Sequence, residues 1–187
     1  MLLGFAYTGS FCTISKSIEI MKALIDKGMD VIPIMSYNAF NTDTRFGDAK
    51  DIRNKIEEIC KKDIIHTIVD AEPLGPKTKL DALIISPCTG NTLSKIANGI
   101  TDTPVCMAAK AHLRNNSPLI ISLATNDALS ANLKNIATLM SRKNVFFTPM
   151  IQDDPISKPH SLVADFDLIE ETLYKALKGE QITKLFI

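Results

Sequence analysis

Apolar residues along the chain come in short unbroken runs, and between the runs they recur at helical spacing. Leu2–Tyr7 is the first run, and Ile14, Ile18, Met21 and Ile25 follow it at i, i+4, i+7 and i+11. That spacing predicts a helix with one apolar stripe, its opposite face carrying Lys16, Glu19, Lys22 and Asp26, and Gly28 supplies the expected stop. Residues 31–35 read as a second strand, 36–46 as a polar loop, 48–61 as a helix and 64–69 as a short strand. Residues 82–86 contain Leu83-Ile84-Ile85, a run that suits a strand buried on both sides. A helix starting near Thr89 turns Leu93, Ile96, Ala97 and Ile100 inward, and a short one covers 105–112. Residues 119–123 are the next strand, Leu129, Leu133, Ile136 and Met140 mark the helix after it, and 145–148 reads as the last strand. Residues 152–159 form a proline-punctuated loop before a terminal helix with Phe166, Ile169, Leu173 and Leu177 on one face, ending at Gly179.

Strands alternating with helices predict a parallel sheet covered on both faces. The expectation is a three-layer αβα sandwich of the α/β class, Rossmann-like or flavodoxin-like. The 187 residues fit one domain at roughly 150 residues per domain, and no internal repeat or Gly/Ser-rich linker divides 1–187.

Composition narrows the function classes. Lys and Arg number 21 and Asp and Glu 21, and no window concentrates the cations, which argues against a nucleic-acid binder. Cys12, Cys60, Cys88 and Cys106 are widely spaced, without a C-x-x-C pair or a histidine at zinc-finger spacing, so no metal site is expected. The apolar start lacks a basic n-region and runs directly into Thr8-Gly9-Ser10, which fits a strand and not a signal peptide. No apolar run approaches the roughly 18 residues needed to span a bilayer. These features predict a cytoplasmic protein with reduced thiols.

In open α/β sheets ligands bind beyond the carboxyl ends of strands, so three loops carry the candidate chemistry. Tyr7-Thr8-Gly9-Ser10 offers close backbone approach, two hydroxyls and a helix N-terminus. Ser86-Pro87-Cys88-Thr89-Gly90-Asn91-Thr92 offers hydroxyl and amide groups at a helix start, and reads equally as a plain N-cap with Thr89 as the capping residue. Cys88 reads as an inert buried thiol. In Ala124-Thr125-Asn126-Asp127, one of Asn126 and Asp127 is expected to cap the following helix and the other to face a ligand. No dinucleotide-binding fingerprint exists, because Gly9 is alone in its turn and no acidic residue ends the second strand.

Together the loops resemble the flavoprotein family that includes the flavin-containing cysteine decarboxylases and the flavin prenyltransferases. Thr8-Gly9-Ser10 matches the family's first loop, and Pro87-Cys88-Thr89-Gly90-Asn91-Thr92 matches its Pro-Ala-Ser-Ala-Asn-Thr motif in the first and last two positions. Residues 91–102 continue that match in register, and Ala124-Thr125-Asn126 stands where decarboxylases carry Ala-Met-Asn. The resemblance implies an FMN site across Thr8, Gly9, Ser10, Ser36, Pro87, Thr89, Gly90, Asn91 and Thr92.

A second resemblance, over essentially the whole chain, is to a branch of the family from spore-forming bacteria. It rests on Thr42-Asp43-Thr44-Arg45-Phe46-Gly47, Ala71-Glu72-Pro73-Leu74-Gly75-Pro76-Lys77, residues 87–92, Ala108-Ala109-Lys110-Ala111, residues 125–129 and Gln152-Asp153-Asp154-Pro155. The first two segments are not shared with the decarboxylases. Members of that branch serve as the second, B-type subunit of an oxidoreductase that aromatises a cyclic dicarboxylate during sporulation. The resemblance implies an A-type partner subunit carrying NADP, a small dicarboxylate substrate and a homo- or hetero-oligomer in the mother-cell cytoplasm.

For such a substrate Arg45 or Lys110 would clamp carboxylates, since a guanidinium matches a carboxylate fork, with Asn126 facing the ligand and Thr89 and Asn91 orienting the ring. Asp43, Glu72 and His66 are the candidate general bases. Three other readings stay open: an FMN-dependent decarboxylase, a flavin prenyltransferase-like enzyme, and a non-catalytic partner that stabilises the A-type subunit. The last segment lacks the decarboxylases' cysteine-bearing clamp, and Ala124-Thr125 replaces the Arg-Glu of the prenyltransferases.

Overall fold

The computed structural model describes residues 1–187. Five strands form its parallel sheet: β1 (Leu2–Tyr7), β2 (Asp30–Met35), β3 (Ala82–Cys88), β4 (Leu119–Thr125) and β5 (Val145–Phe147). Their spatial order, β2-β1-β3-β4-β5, is the flavodoxin-like one, with its switch point between β1 and β3. Ligands of such sheets lie beyond that point.

Period-two alternation divides the core into two halves of similar size. Leu3, Phe5, Tyr7, Ala82, Ile84 and Ile120 face a cluster of 23 buried residues completed by α1 (Phe11–Asp26), α2 (Tyr37–Asn41), α3 (Ala49–Cys60) and, later in the chain, α8 (Ile169–Ala176). Ala6, Leu83, Ile85, Leu119, Ile121 and Leu123 face the other 25, completed by α4 (Ile68–Ala71), α5 (Gly90–Ala97), α6 (Pro104–Leu113) and α7 (Leu133–Met140). This is the expected three-layer sandwich.

The chain departs from its sequence pattern in four places. Residues 36–46 contain α2, whose N-cap Ser36 accepts a hydrogen bond from the Ala39 amide at 3.3 Å. Residues 64–69 do not form a strand: Ile65 makes a single bridge to Ile34, after which Thr67 caps α4 by accepting from the Asp70 amide at 3.1 Å. Ile100, Leu133, Met140 and Leu177, expected inside, are exposed. Helix α5 ends at Ala97, short of Ile100, and α7 and α8 bury Ile136, Leu139, Ile169 and Leu173 instead.

The fourth departure shapes the functional end. Two short strands, β6 (Met150–Ile151) and β7 (Leu162–Ala164), follow β5, and β7 runs antiparallel to both β4 and β6, making the sheet mixed. Residues 119–121 of β4 pair with β5, but β5 is only three residues long, so the far end of β4 is left for β7 through Ala124↔Val163 and Thr125↔Leu162. The segment between β6 and β7 is thereby held at the carboxyl end of β4.

No buried side-chain nitrogen or oxygen lacks a hydrogen-bond partner. Two hydroxyl pairs, Ser17 with Ser86 and Ser122 with Thr148, each at 2.9 Å, satisfy polar groups inside the apolar layers. No helix is long and apolar enough to cross a membrane.

Candidate functional site

The loops after β1 and β3 are joined by one side chain. Thr8 is fully buried; its hydroxyl donates to the Pro87 carbonyl at 2.7 Å and accepts from the Thr89 amide at 2.8 Å. Its own amide also donates to Pro87 at 3.2 Å. Thr8 therefore fixes the two loops together and has no hydroxyl proton left for a ligand, contrary to the expectation that it would donate to one.

Around this junction lies a cleft with two adjoining lobes, of about 510 and 330 Å³, that share Gly9, Phe11 and Thr89. Ser10, Arg45, Phe46, Asn126 and Lys158 line the larger, and Ser36, Asn38, Asn91, Thr92 and Thr103 the smaller. The size suits a cofactor or small substrate. A groove of about 400 Å³ along α8 is lined by Asp167, Glu170, Glu171, Lys175 and Lys178, a solvated helix face to which no strand-end loop contributes.

The cleft concentrates polar groups without partners in the fold. The side chains of Asn38, Asn91 and Asn126 make no hydrogen bond within the chain, and the Ser10 hydroxyl accepts only from Thr13, at 3.3 Å. Helix α1 has no side-chain cap, so its first amides and the positive end of its dipole face the cleft. Helix α5 is capped: Thr89 accepts from the Thr92 amide at 3.3 Å, as the plain N-cap reading anticipates. The nearest atoms to a methyl group at Gly9 would be those of Phe11 and Asn38, at 3.5 Å or more, so Gly9 is open toward the cleft.

Gly90 plays a different part. A Cβ there would lie 2.5 Å from Asn132 Nδ2 and 2.7 Å from both Asp127 Oδ1 and Thr125 Oγ1. Those three atoms belong to a network in which Thr125 and Asn132 donate to the Asp127 carboxylate at 2.6 and 2.8 Å. Asp127 thus braces the turn after β4 and does not cap α7, whose N-cap Asn132 makes no side-chain cap bond. Asn126 is left exposed on the cleft wall.

The other sequence candidates divide. Arg45 lines the large lobe, its guanidinium 4.8 Å from the Phe46 ring centroid, and makes no ion pair with Asp43, Asp48 or any other acid. Lys110 does not join it. Lys110 lies near the end of α6 in a separate groove with Ile100, Leu113, Arg114 and Arg142. Pro87 is buried at the loop junction.

None of the three candidate bases lines the cleft. Asp43 accepts from the Ala49 amide at 2.8 Å and so caps α3. His66 stacks on Phe40, with ring centroids 3.9 Å apart, and its Nδ1 lies 3.1 Å from the Ile64 carbonyl. Glu72 is exposed just after α4. Two carboxylates outside the candidate bases line the cleft: Asp102, paired with Lys95 at 2.8 Å in the small lobe, and, in the large one, Asp153, which looks in sequence like an ordinary loop acid. The Ser161 hydroxyl and the Lys158 ammonium, 3.1 Å away, hold its carboxyl below the usual range. Burial pushes the Cys88 thiol well up, which keeps it protonated and inert.

A flavodoxin-like sheet with an open cleft at its switch point, walled by hydroxyls, free amides and an uncapped helix N-terminus, is the architecture of a flavin-type α/β protein. The chain belongs to the Flavoprotein family, whose model matches residues 2–173. It is 46% identical to the B-type subunit of dipicolinate synthase of Bacillus subtilis (strain 168) over 185 residues, 99% of this chain and 92% of that one. The crystal structure of the same B-type subunit from Bacillus halodurans C superposes with a TM-score of 0.91 at 45% identity, covering 100% of this chain and 95% of that one. A dodecameric FMN-dependent UbiX-like decarboxylase from Escherichia coli O157:H7 shares the fold, with a TM-score of 0.62 at 23% identity over 75% of each chain.

Proposed function

We propose that the chain is the B-type subunit of a dipicolinate synthase. Together with an A-type subunit it takes a dihydrodipicolinate-type substrate to dipicolinate, in the cytoplasm of the mother cell during sporulation. The observation that carries this reading is the likeness to B-type subunits at 46% and 45% identity over nearly the full length of both relatives. In the reaction a hydride leaves one ring carbon with its electron pair and a proton leaves the ring. NADP+ held by the A-type subunit would take the hydride, the proton would pass to solvent, and the ring becomes aromatic.

The residues around the cleft fit an FMN. Ser10, Asn91 and Asn126 carry unpartnered or weakly partnered polar groups, and the amides of α1 offer an anion site beside the open Gly9. A bound flavin would relay the two electrons from the substrate toward NADP+. Thr8, Thr89 and Pro87 keep the two loops in register, Ser36 fixes α2 beside the small lobe, and Gly90 lets the Asp127 network pack beneath. Arg45 meets a substrate carboxylate from the large lobe. Ala124 and Thr125 stand where the prenyltransferases carry Arg-Glu, and the Thr125 hydroxyl is held by Asp127, so these two positions offer a prenyl phosphate neither a cation nor a free donor.

The test is reconstitution. The chain, its cognate A-type subunit and NADP are combined with the dihydro-dicarboxylate, and the aromatic product is followed by its ultraviolet absorbance. Product formation that needs both chains, and falls with Asn91→Ala, supports the reading. Equal turnover by the A-type subunit alone removes the catalytic role, and release of carbon dioxide from candidate acids without aromatisation favours a decarboxylase.

A further inference from the structure

Two loops more than a hundred positions apart in sequence, 42–47 and 152–159, are brought by the fold to the same lobe of the cleft. The first is a rigid platform. Thr44 and Gly47 exchange two backbone hydrogen bonds of 3.1 Å, the Phe46 amide donates to the Thr44 hydroxyl at 3.1 Å, and Asp43 ties the turn to the Ala49 amide at 2.8 Å. Arg45 stands at its tip with no carboxylate partner, against the Phe46 ring.

The second is the segment between β6 and β7. It is cross-tied by Gln152 to the Pro159 carbonyl at 2.7 Å, by the Ser157 amide to Asp154 at 2.9 Å and by the Lys158 amide to the Asp154 carbonyl at 2.8 Å. These bonds put the Lys158 side chain on the lobe, where Asp153 holds its ammonium at 3.1 Å. An ammonium has three donors, and Asp153 takes one. The lobe is thus lined by two cations and one acid, a net positive charge in a chain whose cations and acids balance at 21 each.

We infer that Lys158 is the second carboxylate anchor of this site: Arg45 and Lys158, carried on two different loops, grip the two carboxylates of one small planar dicarboxylate. Lys158 determines specificity for a dianion over a monoanion, and Asp153 with Ser161 is the device that positions it. The inference rests on the proposed function for its substrate class. Lys158 contributes two free N–H donors and a point charge, which tolerates a carboxylate in several orientations, whereas the flat guanidinium of Arg45 fixes one.

Isothermal titration of the complex with the A-type subunit, with FMN added, tests this using pyridine-2,6-dicarboxylate and pyridine-2-carboxylate as probes. The wild type is expected to prefer the dicarboxylate by about tenfold or more, the usual worth of a hydrogen bond to a charged group. Lys158→Gln should abolish that preference while leaving pyridine-2-carboxylate binding within about threefold, and should raise KM more than it lowers kcat. Lys158 is exposed, its side chain 54% accessible, so the variant retains the wild-type melting temperature. A Lys158→Gln protein that keeps the full preference overturns the inference, and if Arg45→Gln alone loses it, the proposed function survives without Lys158. A wild type that binds neither probe overturns the substrate reading itself.

Discussion

The Thr8 hydroxyl accepts a hydrogen bond from the Thr89 amide at 2.8 Å, across 81 positions of sequence, and the two loops of the cleft behave as one unit because of it. The same hydroxyl donates to Pro87, so a single oxygen with no solvent access serves one donor and one acceptor of the opposite loop.

Thr8→Val keeps the shape and removes both bonds. Leaving the Thr89 amide without its partner costs about 1–3 kcal/mol, which for a chain of this size lowers the melting temperature by roughly 2–12 °C. Thr8→Ser restores the oxygen and should recover most of the loss. A Thr8→Val protein as stable as wild type in calorimetry would show that the loops are held by something else.

The two glycines of the cleft should respond in opposite ways. Gly90→Ala drives a methyl into the Thr125, Asp127 and Asn132 side chains and should cost about 1–3 kcal/mol in denaturant unfolding, with the wall carrying Asn126 displaced. Gly9→Ala meets only ordinary contacts, so its stability should stay within about 0.5 kcal/mol while affinity for FMN falls, because the methyl stands in the cleft.

Much of this site follows from sequence once the strands are placed. Leu2–Tyr7 and the apolar stretches around Ile84 and Ile121 are unbroken runs long enough to read as strands buried on both faces, and with them the loops at Thr8 and Thr89 fall at the carboxyl ends of adjacent strands. The region after β5 reads only as a loop, because β6 and β7 are two and three residues long and carry no period. Asp153 and Lys158 then look like ordinary loop charges until the pairing of β7 with the end of β4 brings them to the cleft. Lys110 misses the cleft for a directional reason. Helix α6 starts next to Thr103 on the small lobe and runs away from it, so seven residues carry Lys110 roughly 10 Å along the axis at 1.5 Å per residue. Ile64, Ile65, Ile68 and Val69 suggest a strand, but the Thr67–Asp70 pair starts a helical turn that leaves Val69 79% exposed.

Acid should weaken the fold through His112. This ring is 1% exposed, its Nε2 lies 2.9 Å from the Pro118 carbonyl, and burial lowers its pKa from the usual 6.5. The unfolded chain therefore takes up a proton at a higher pH than the folded one, and the stability this group contributes is full above about 6.5 and lost as pH falls through the lowered folded value. Asp153 acts in the same direction but only below the ordinary carboxyl value of 3.8, so the interval from about 5 to 6.5 isolates histidine. The urea midpoint of the wild type should drop across that interval, and His112→Asn should flatten the drop. An unchanged slope in the variant would assign it to other groups.

Whether the cleft between the β1 and β3 loops is a flavin site is tested most directly by the visible spectrum of the purified chain after addition of FMN and desalting. Flavin absorption bands are expected to survive desalting in the wild type and to be weakened in Gly9→Ala and Asn91→Ala proteins of unchanged melting temperature. A wild-type protein that comes off the column colourless, and leaves the spectrum of added FMN unperturbed, contradicts the assignment.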